Sequence, residues 1–129
     1  MKKKILVVDD SPFILQVMTD ILTNLDYDVT TVDNVAAGRE QVASCEFDLI
    51  FTDLHMPHMD GIEFVKQVKQ IPGRRFTPIV MLSSEGDAGR IAEAKRTGIS
   101  TFLSKPVQEG SLRAILQVVI GKMNCGQSA

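Results

Sequence analysis

The stretch Lys4-Ile5-Leu6-Val7-Val8-Asp9-Asp10-Ser11-Pro12 carries a strand, an acidic turn and a helix start in immediate succession. A short apolar run closed by two carboxylates reads as a strand over about 4–8. Ser11 is a good N-cap, and Pro12 suits the first helical position, where a missing N–H costs nothing. The pattern recurs along the chain. Leu49-Ile50-Phe51-Thr52 leads into Asp53, Ile79-Val80-Met81-Leu82 into Ser83, and Phe102-Leu103-Ser104 into Lys105. Such runs, alternating with longer stretches of helical period, are the mark of βαβ units and a parallel sheet. Parallel strands would bring Asp9, Asp10, Asp53, Ser83 and Lys105 to one sheet edge, the edge at which open α/β sheets bind ligands.

Five strands and five helices account for the length. Helix one is expected over about 12–25, with Ile14, Val17, Met18, Ile21 and Leu25 on its apolar face. Strand two, about 28–32, is rich in threonine and valine with polar neighbours, which places it at a sheet edge. Helix two, about 34–44, carries Gly38 at a cost of roughly 1 kcal/mol against alanine. Helix three opens near Gly61, buries Ile62, Val65 and Val68, and stops before Pro72-Gly73. Helix four covers about 88–97, with Gly98 as its stop. Helix five, about 108–122, lines up Leu112, Ile115, Leu116 and Val119. This divides the chain into one domain over 1–122 and a flexible tail over 123–129.

Composition narrows the function classes. The formal net charge is −2, and nucleic-acid binding needs basic faces. The one basic run, Lys2-Lys3-Lys4, abuts the first strand and reads as its solvated entry. No segment approaches the roughly 20 apolar residues of a membrane span, and too few apolar residues precede Asp9 for a signal peptide. Cys45 and Cys125 offer neither a disulfide framework nor metal-ligand spacing. A cytoplasmic protein is expected.

Three carboxylates, a hydroxyl and an ammonium at one sheet edge suit a divalent cation and a phosphoryl group. Magnesium takes hard oxygen ligands and needs only one or two protein carboxylates. Asp10 and Asp53 can supply these, with Asp9 holding a coordinated water and a carbonyl of the loop after Asp53 as a further ligand. Each residue alone has a plain structural reading as a cap, a turn former or a surface ion pair. Together, three like charges repel unless a cation or Lys105 neutralises them. Carboxylates form aspartyl phosphates, and Asp53, flanked by the others, is the candidate nucleophile. Lys105 can pair with a phosphoryl oxygen and Ser83 can donate to another. Pro57 breaks any helix between His55 and His58, so these do not make a transition-metal pair.

The motifs Val7-Val8-Asp9-Asp10-Ser11, Asp53-Leu54-His55-Met56-Pro57-His58-Met59-Asp60-Gly61, Ser83-Ser84-Glu85 and Lys105-Pro106 resemble those of response-regulator receiver domains. The resemblance covers about residues 4–120. It implies an α/β, doubly wound (βα)5 fold of the flavodoxin-like, CheY-like kind, with a parallel sheet of order 2-1-3-4-5. It implies two-component signalling, in which Asp53 accepts a phosphoryl group from a sensor histidine kinase or a phosphotransfer protein. Mg²⁺, or Mn²⁺ in its place, would be bound by Asp10, Asp53 and the His55 backbone carbonyl, with Asp9 acting through water. Ser83 and Lys105 would contact the phosphoryl group, and the Lys105–Pro106 peptide would be cis. Ser83 and the strand-five aromatic, here Phe102 without a hydroxyl, would form the switch that remodels the face of helix four, strand five and helix five. That face would meet a downstream protein. The side chains of His55 and Glu85 would tune dephosphorylation.

The same residues suit a phosphorelay shuttle, or a receiver belonging to a longer regulator with a DNA-binding or enzymatic output. Self-phosphorylation and self-dephosphorylation make this no turnover enzyme, and a monomer or weak dimer is expected. A flavin binder is disfavoured because Asp9-Asp10 would repel its phosphate. An aspartate-nucleophile phosphatase needs an acid where His55 stands.

Overall fold

The computed structural model describes residues 2–56, 60–84 and 87–125. The elements run β1 (Lys4–Val8), α1 (Pro12–Asn24), β2 (Asp28–Val32), α2 (Val35–Ser44), β3 (Leu49–Asp53), α3 (Gly61–Gln70), β4 (Ile79–Ser83), α4 (Ala88–Arg96), β5 (Thr101–Ser104) and α5 (Glu109–Cys125). The strands form one parallel sheet of order β2-β1-β3-β4-β5. This is the doubly wound arrangement that the sequence resemblance implies.

Alternation along the strands divides the interior between two faces. Leu6, Val8, Ile50, Ile79 and Met81 pack against α2, α3 and α4 through Val35, Val42, Ile62, Phe64, Val65, Val68 and Ala94. Ile5, Val7, Leu49, Phe51, Val80 and Leu82 pack against α1 and α5 through Ile14, Met18, Leu22, Leu112, Leu116, Val119 and Ile120. β3 and β4 are buried throughout, because helices cover both sides. β2 is half exposed at the sheet edge.

Several details depart from the expected boundaries. On α1 the buried positions are Ile14, Met18 and Leu22, four residues apart, while Val17, Ile21 and Leu25 are only half-buried flankers. Gly38 sits where α2 lies closest to its neighbours. A Cβ there would come within 3.1 Å of a Val8 methyl and 3.2 Å of the Phe64 ring. The helical penalty is thus offset by close packing. α5 runs to Cys125, so residues 123–125, which the sequence reading assigned to the tail, are helical. A single helical glycine such as Gly121 weakens a helix without ending it.

Gly61 fixes the start of α3 against the end of β3. Its N–H donates to the Leu54 carbonyl at 2.8 Å, and a Cβ would lie 2.0 Å from the Asp53 carbonyl oxygen. Asp60 caps the helix by accepting from the Glu63 N–H at 2.9 Å. Gly61→Ala must therefore push α3 away from the backbone that carries Asp53. It is expected to cost roughly 2–4 kcal/mol, read as a lowered denaturant midpoint. An unchanged midpoint would show that the α3 start yields freely.

Candidate functional site

At the carboxyl edge the strand order places β1 and β3 side by side in the middle. Asp9 follows β1 and Asp53 ends β3. Asp9 is fully buried and Asp53 is 6% exposed. Asp10, one residue on, is exposed. The three carboxylates each offer an oxygen within 4.8 Å of the others.

Lys105 reaches this cluster from beyond β5. Its Nζ stands 3.0 Å from Asp9 Oδ2 and 3.2 Å from Asp53 Oδ1. Its backbone N–H donates to the Ser83 carbonyl at 2.7 Å, tying the lysine to the end of β4. The Lys105–Pro106 peptide is cis. Asp9 Oδ1 accepts from the Ser11 N–H at 2.9 Å. Asp9 Oδ2 is buried and has no aligned hydrogen bond among the described residues, so its link to Lys105 is a contact of charge.

Ser83 is 3% exposed. It lies one residue beyond Leu82, the β4 partner of Asp53. Phe102 pairs with Met81 and packs half-buried on the α2–α3–α4 face. Ser83 and Phe102 are therefore diagonal neighbours on one sheet face. The Phe102 ring lies 5.4 Å from the Lys95 ammonium of α4, a cation–π distance.

Burial, then the charge of Asp9, pushes the Asp53 carboxyl above the ordinary range; Lys105 and the His55 N–H offset this only in part. Burial pulls the Lys105 ammonium down, but Asp9 and Asp53 outweigh it and hold its pKa above the usual value. Three carboxylates against one ammonium leave a formal surplus of two negative charges. That surplus and the hard oxygen donors, gathered within 4.8 Å of one another, fit a small divalent cation.

The rim holds Asp60, Asp87 and Arg90, to which sequence reasoning gave no role. His55, 57% exposed at its side chain, meets Asp87 with Nε2 2.7 Å from Oδ1. The other Asp87 oxygen accepts from the Ser84 N–H at 2.7 Å. Asp60 pairs with Arg90 at 2.7 Å. A local signal existed for both acids, since Asp is a common N-cap. It accounts for Asp60, whereas the Asp87 side chain makes no cap bond to α4. Glu85 lies outside the described residues.

A family model for the response regulator receiver domain matches residues 5–117. The chain belongs to the response regulator receiver family. Chemotaxis protein CheY1 of Helicobacter pylori is 32% identical over 120 residues, 92% of this chain and 97% of that one. The rice two-component response regulator ORR24 is 33% identical over 95% of this chain, which spans only 19% of its length. Among solved structures, chemotaxis protein CheY4 of Vibrio cholerae superposes with a TM-score of 0.87 at 35% identity, covering 92% of this chain and 99% of that one. The receiver domain of the Pseudomonas aeruginosa sensor kinase PA1611 superposes with a TM-score of 0.86 at 27% identity, covering 94% of this chain and 99% of that one. That structure holds a magnesium ion in its active-site cleft. The chain is thus a receiver domain of the kind used in two-component signalling. Among its described residues no helix is long and apolar enough to cross a membrane.

The raised Asp53 carboxyl has a thermal consequence. The folded state binds that proton more tightly than the unfolded chain, so stability falls as pH rises from the ordinary value of 3.8 through the raised folded value. Above the raised folded value the full cost is present. In a chelator at pH 7, Asp53→Asn is expected to melt about 2–5 °C above wild type. The gap should close as the pH is brought below 3.8. Calorimetric melts across that range check it, and a variant melting below wild type at pH 7 would refute the electrostatic cost.

Proposed function

We propose that this receiver accepts a phosphoryl group on Asp53 from the phosphohistidine of a sensor histidine kinase or phosphotransfer protein, and passes the change to a protein partner. The observation that carries the reading is the Lys105 ammonium between the buried Asp9 and Asp53 carboxylates, 3.0 and 3.2 Å away. A structural ion pair needs one carboxylate, and a second one beside an exposed Asp10 is costly unless the surplus charge is used.

An Asp53 carboxylate oxygen attacks phosphorus in line. The phosphorus–nitrogen bond to the donor imidazole breaks, its electron pair stays on nitrogen, and that nitrogen takes a proton from solvent. Lys105 Nζ is positioned to offset charge on the incoming phosphoryl oxygens, and Ser83, at the neighbouring strand end, to donate to one of them. Asp10 and Asp53 would hold Mg²⁺ (or Mn²⁺) with the His55 carbonyl, and Asp9 would act through water. When bound, the ion supplies the positive charge that the three carboxylates lack.

Drawing Ser83 toward the phosphoryl group frees space on the face it shares with Phe102, and the ring follows. Phe102 touches α4 through Lys95, so its movement alters the face made by α4, β5 and α5, where a downstream protein would bind. We place this activity in residues 1–122 and in the cytoplasm, in a monomer or weak dimer. A phosphorelay shuttle would use the same Asp53 chemistry and pass the group to a second histidine.

The test is the intact mass after incubation with phosphoramidate, with and without Mg²⁺. One phosphoryl adduct is expected on wild type with Mg²⁺, less without it, and none on Asp53→Asn. An equal, stable adduct on Asp53→Asn would assign the nucleophile elsewhere. No adduct on folded wild type would overturn the phosphoacceptor reading.

A further inference from the structure

β3 and β4 lie side by side, so the loops that enter them meet at the amino edge of the sheet, opposite the Asp53 cluster. The Ile50 N–H donates to the Pro78 carbonyl there at 3.0 Å. Between the two loops runs a groove of about 390 Å³. The loop before β3 lends it Glu46, Phe47 and Asp48, and the loop before β4 lends it Gly73, Arg75 and Phe76. Phe76 is 88% exposed, the most exposed large apolar side chain among the described residues.

A single apolar side chain in water is commonplace, but this one stands on a loop that is tied down. Arg74 Nε donates to the Val42 carbonyl at 2.8 Å, and Lys69 Nζ to the Arg75 carbonyl at 3.1 Å. The Arg74 and Thr77 N–H groups donate to the Ile71 and Arg74 carbonyls at 3.0 and 3.2 Å. The Arg75 guanidinium lies 5.7 Å from the centroid of the Phe76 ring, a cation–π distance. A ring presented on a loop already ordered loses little entropy when it is covered.

The charges of the groove are divided between its two loops. Arg75 and Glu46 are both exposed, and neither has an ion-pair partner among the described residues. Burial, then the charge of Arg75, pulls the Lys69 ammonium below its usual pKa. An acid brought to Arg75 relieves that repulsion. A two-fold axis sets a surface against its own copy, so a cation on one loop and an acid on the other are satisfied twice over. A partner of one sign would satisfy only one of the loops.

We propose that this groove is a self-association surface, where two copies of the chain pair about a two-fold axis, each Phe76 ring seated in the other's groove and each Arg75 paired with Glu46 across the contact. The Asp53 cluster lies at the opposite edge of the sheet, so pairing needs no phosphoryl group. A small contact with rings at its centre and charges at its rim gives a weak, salt-sensitive dimer.

The test is sedimentation equilibrium of the full chain, without phosphodonor, from low-micromolar to near-millimolar concentration. Wild type is expected to pass from monomer to dimer, with a dissociation constant that rises as salt is added. Phe76→Ser should weaken association about tenfold or more and leave the thermal midpoint unchanged. Arg75→Glu and Glu46→Arg should each weaken it roughly threefold to tenfold. Combined, they should return to within about twofold of wild type. Val118, 57% exposed on α5, serves as the control, and Val118→Ser should leave the constant unchanged. A wild type that stays monomeric throughout overturns the proposal and would assign the groove to a different protein. A dimer that survives Phe76→Ser, or that Val118→Ser dissociates, overturns it by placing the contact elsewhere. So does a double charge reversal no tighter than either single one. These readings involve no chemistry at Asp53, so they stand apart from the phosphoacceptor reading.

Discussion

One ammonium lies between two buried carboxylates, and the carboxyl edge of the sheet is arranged around that contact. Lys105 reaches Asp9 and Asp53 at almost equal distance, yet it neutralises only one charge of the three gathered there. Removing such groups from water costs more than one ion pair returns. Part of the cost is offset where α1 begins, since the Ser11 N–H donates to Asp9 at 2.9 Å. The remaining cost is carried by the two apolar layers beneath. A site of this kind is stabilised by whatever brings positive charge to it.

The two layers also give the site its rigidity. β3 and β4 are covered by helices on both faces, so Asp53 and Ser83 extend from strands that have no freedom to shift register. β5 differs. As an edge strand it leaves Phe102 half-buried, with its ring against the Lys95 ammonium rather than enclosed by the core. In the proposed switch, the Ser83 end of the diagonal would be the fixed one and the Phe102 end, at the α4 surface, the adaptable one.

His55 belongs to the cleft through its backbone N–H, which supports Asp53, and to the rim through its ring, which meets Asp87. Asp60 and Arg90 form a second bridge between the start of α3 and the first turn of α4. The loops that frame the cleft are thus joined to one another by side chains, whereas Asp9 and Asp53 are placed by strands.

The order of elements, the parallel sheet and the set of acids at its edge were legible in the chain alone. They rest on local patterns: an apolar run closed by a polar residue, a serine before a proline, a glycine after a helical stretch. The identity of the Asp53 cluster was legible for the same reason, since strand ends in a parallel sheet must meet at one edge. The partner of His55 was not. Asp87 carries the local signature of a helix cap, and only the fold, by setting the loops after β3 and β4 side by side, turns its carboxylate away from α4 and onto the imidazole. The close seat of Gly38 and the true buried face of α1 were decided at the same level. Sequence spacing specifies which way a side chain faces on its own element, whereas the surface it meets is set by elements distant along the chain.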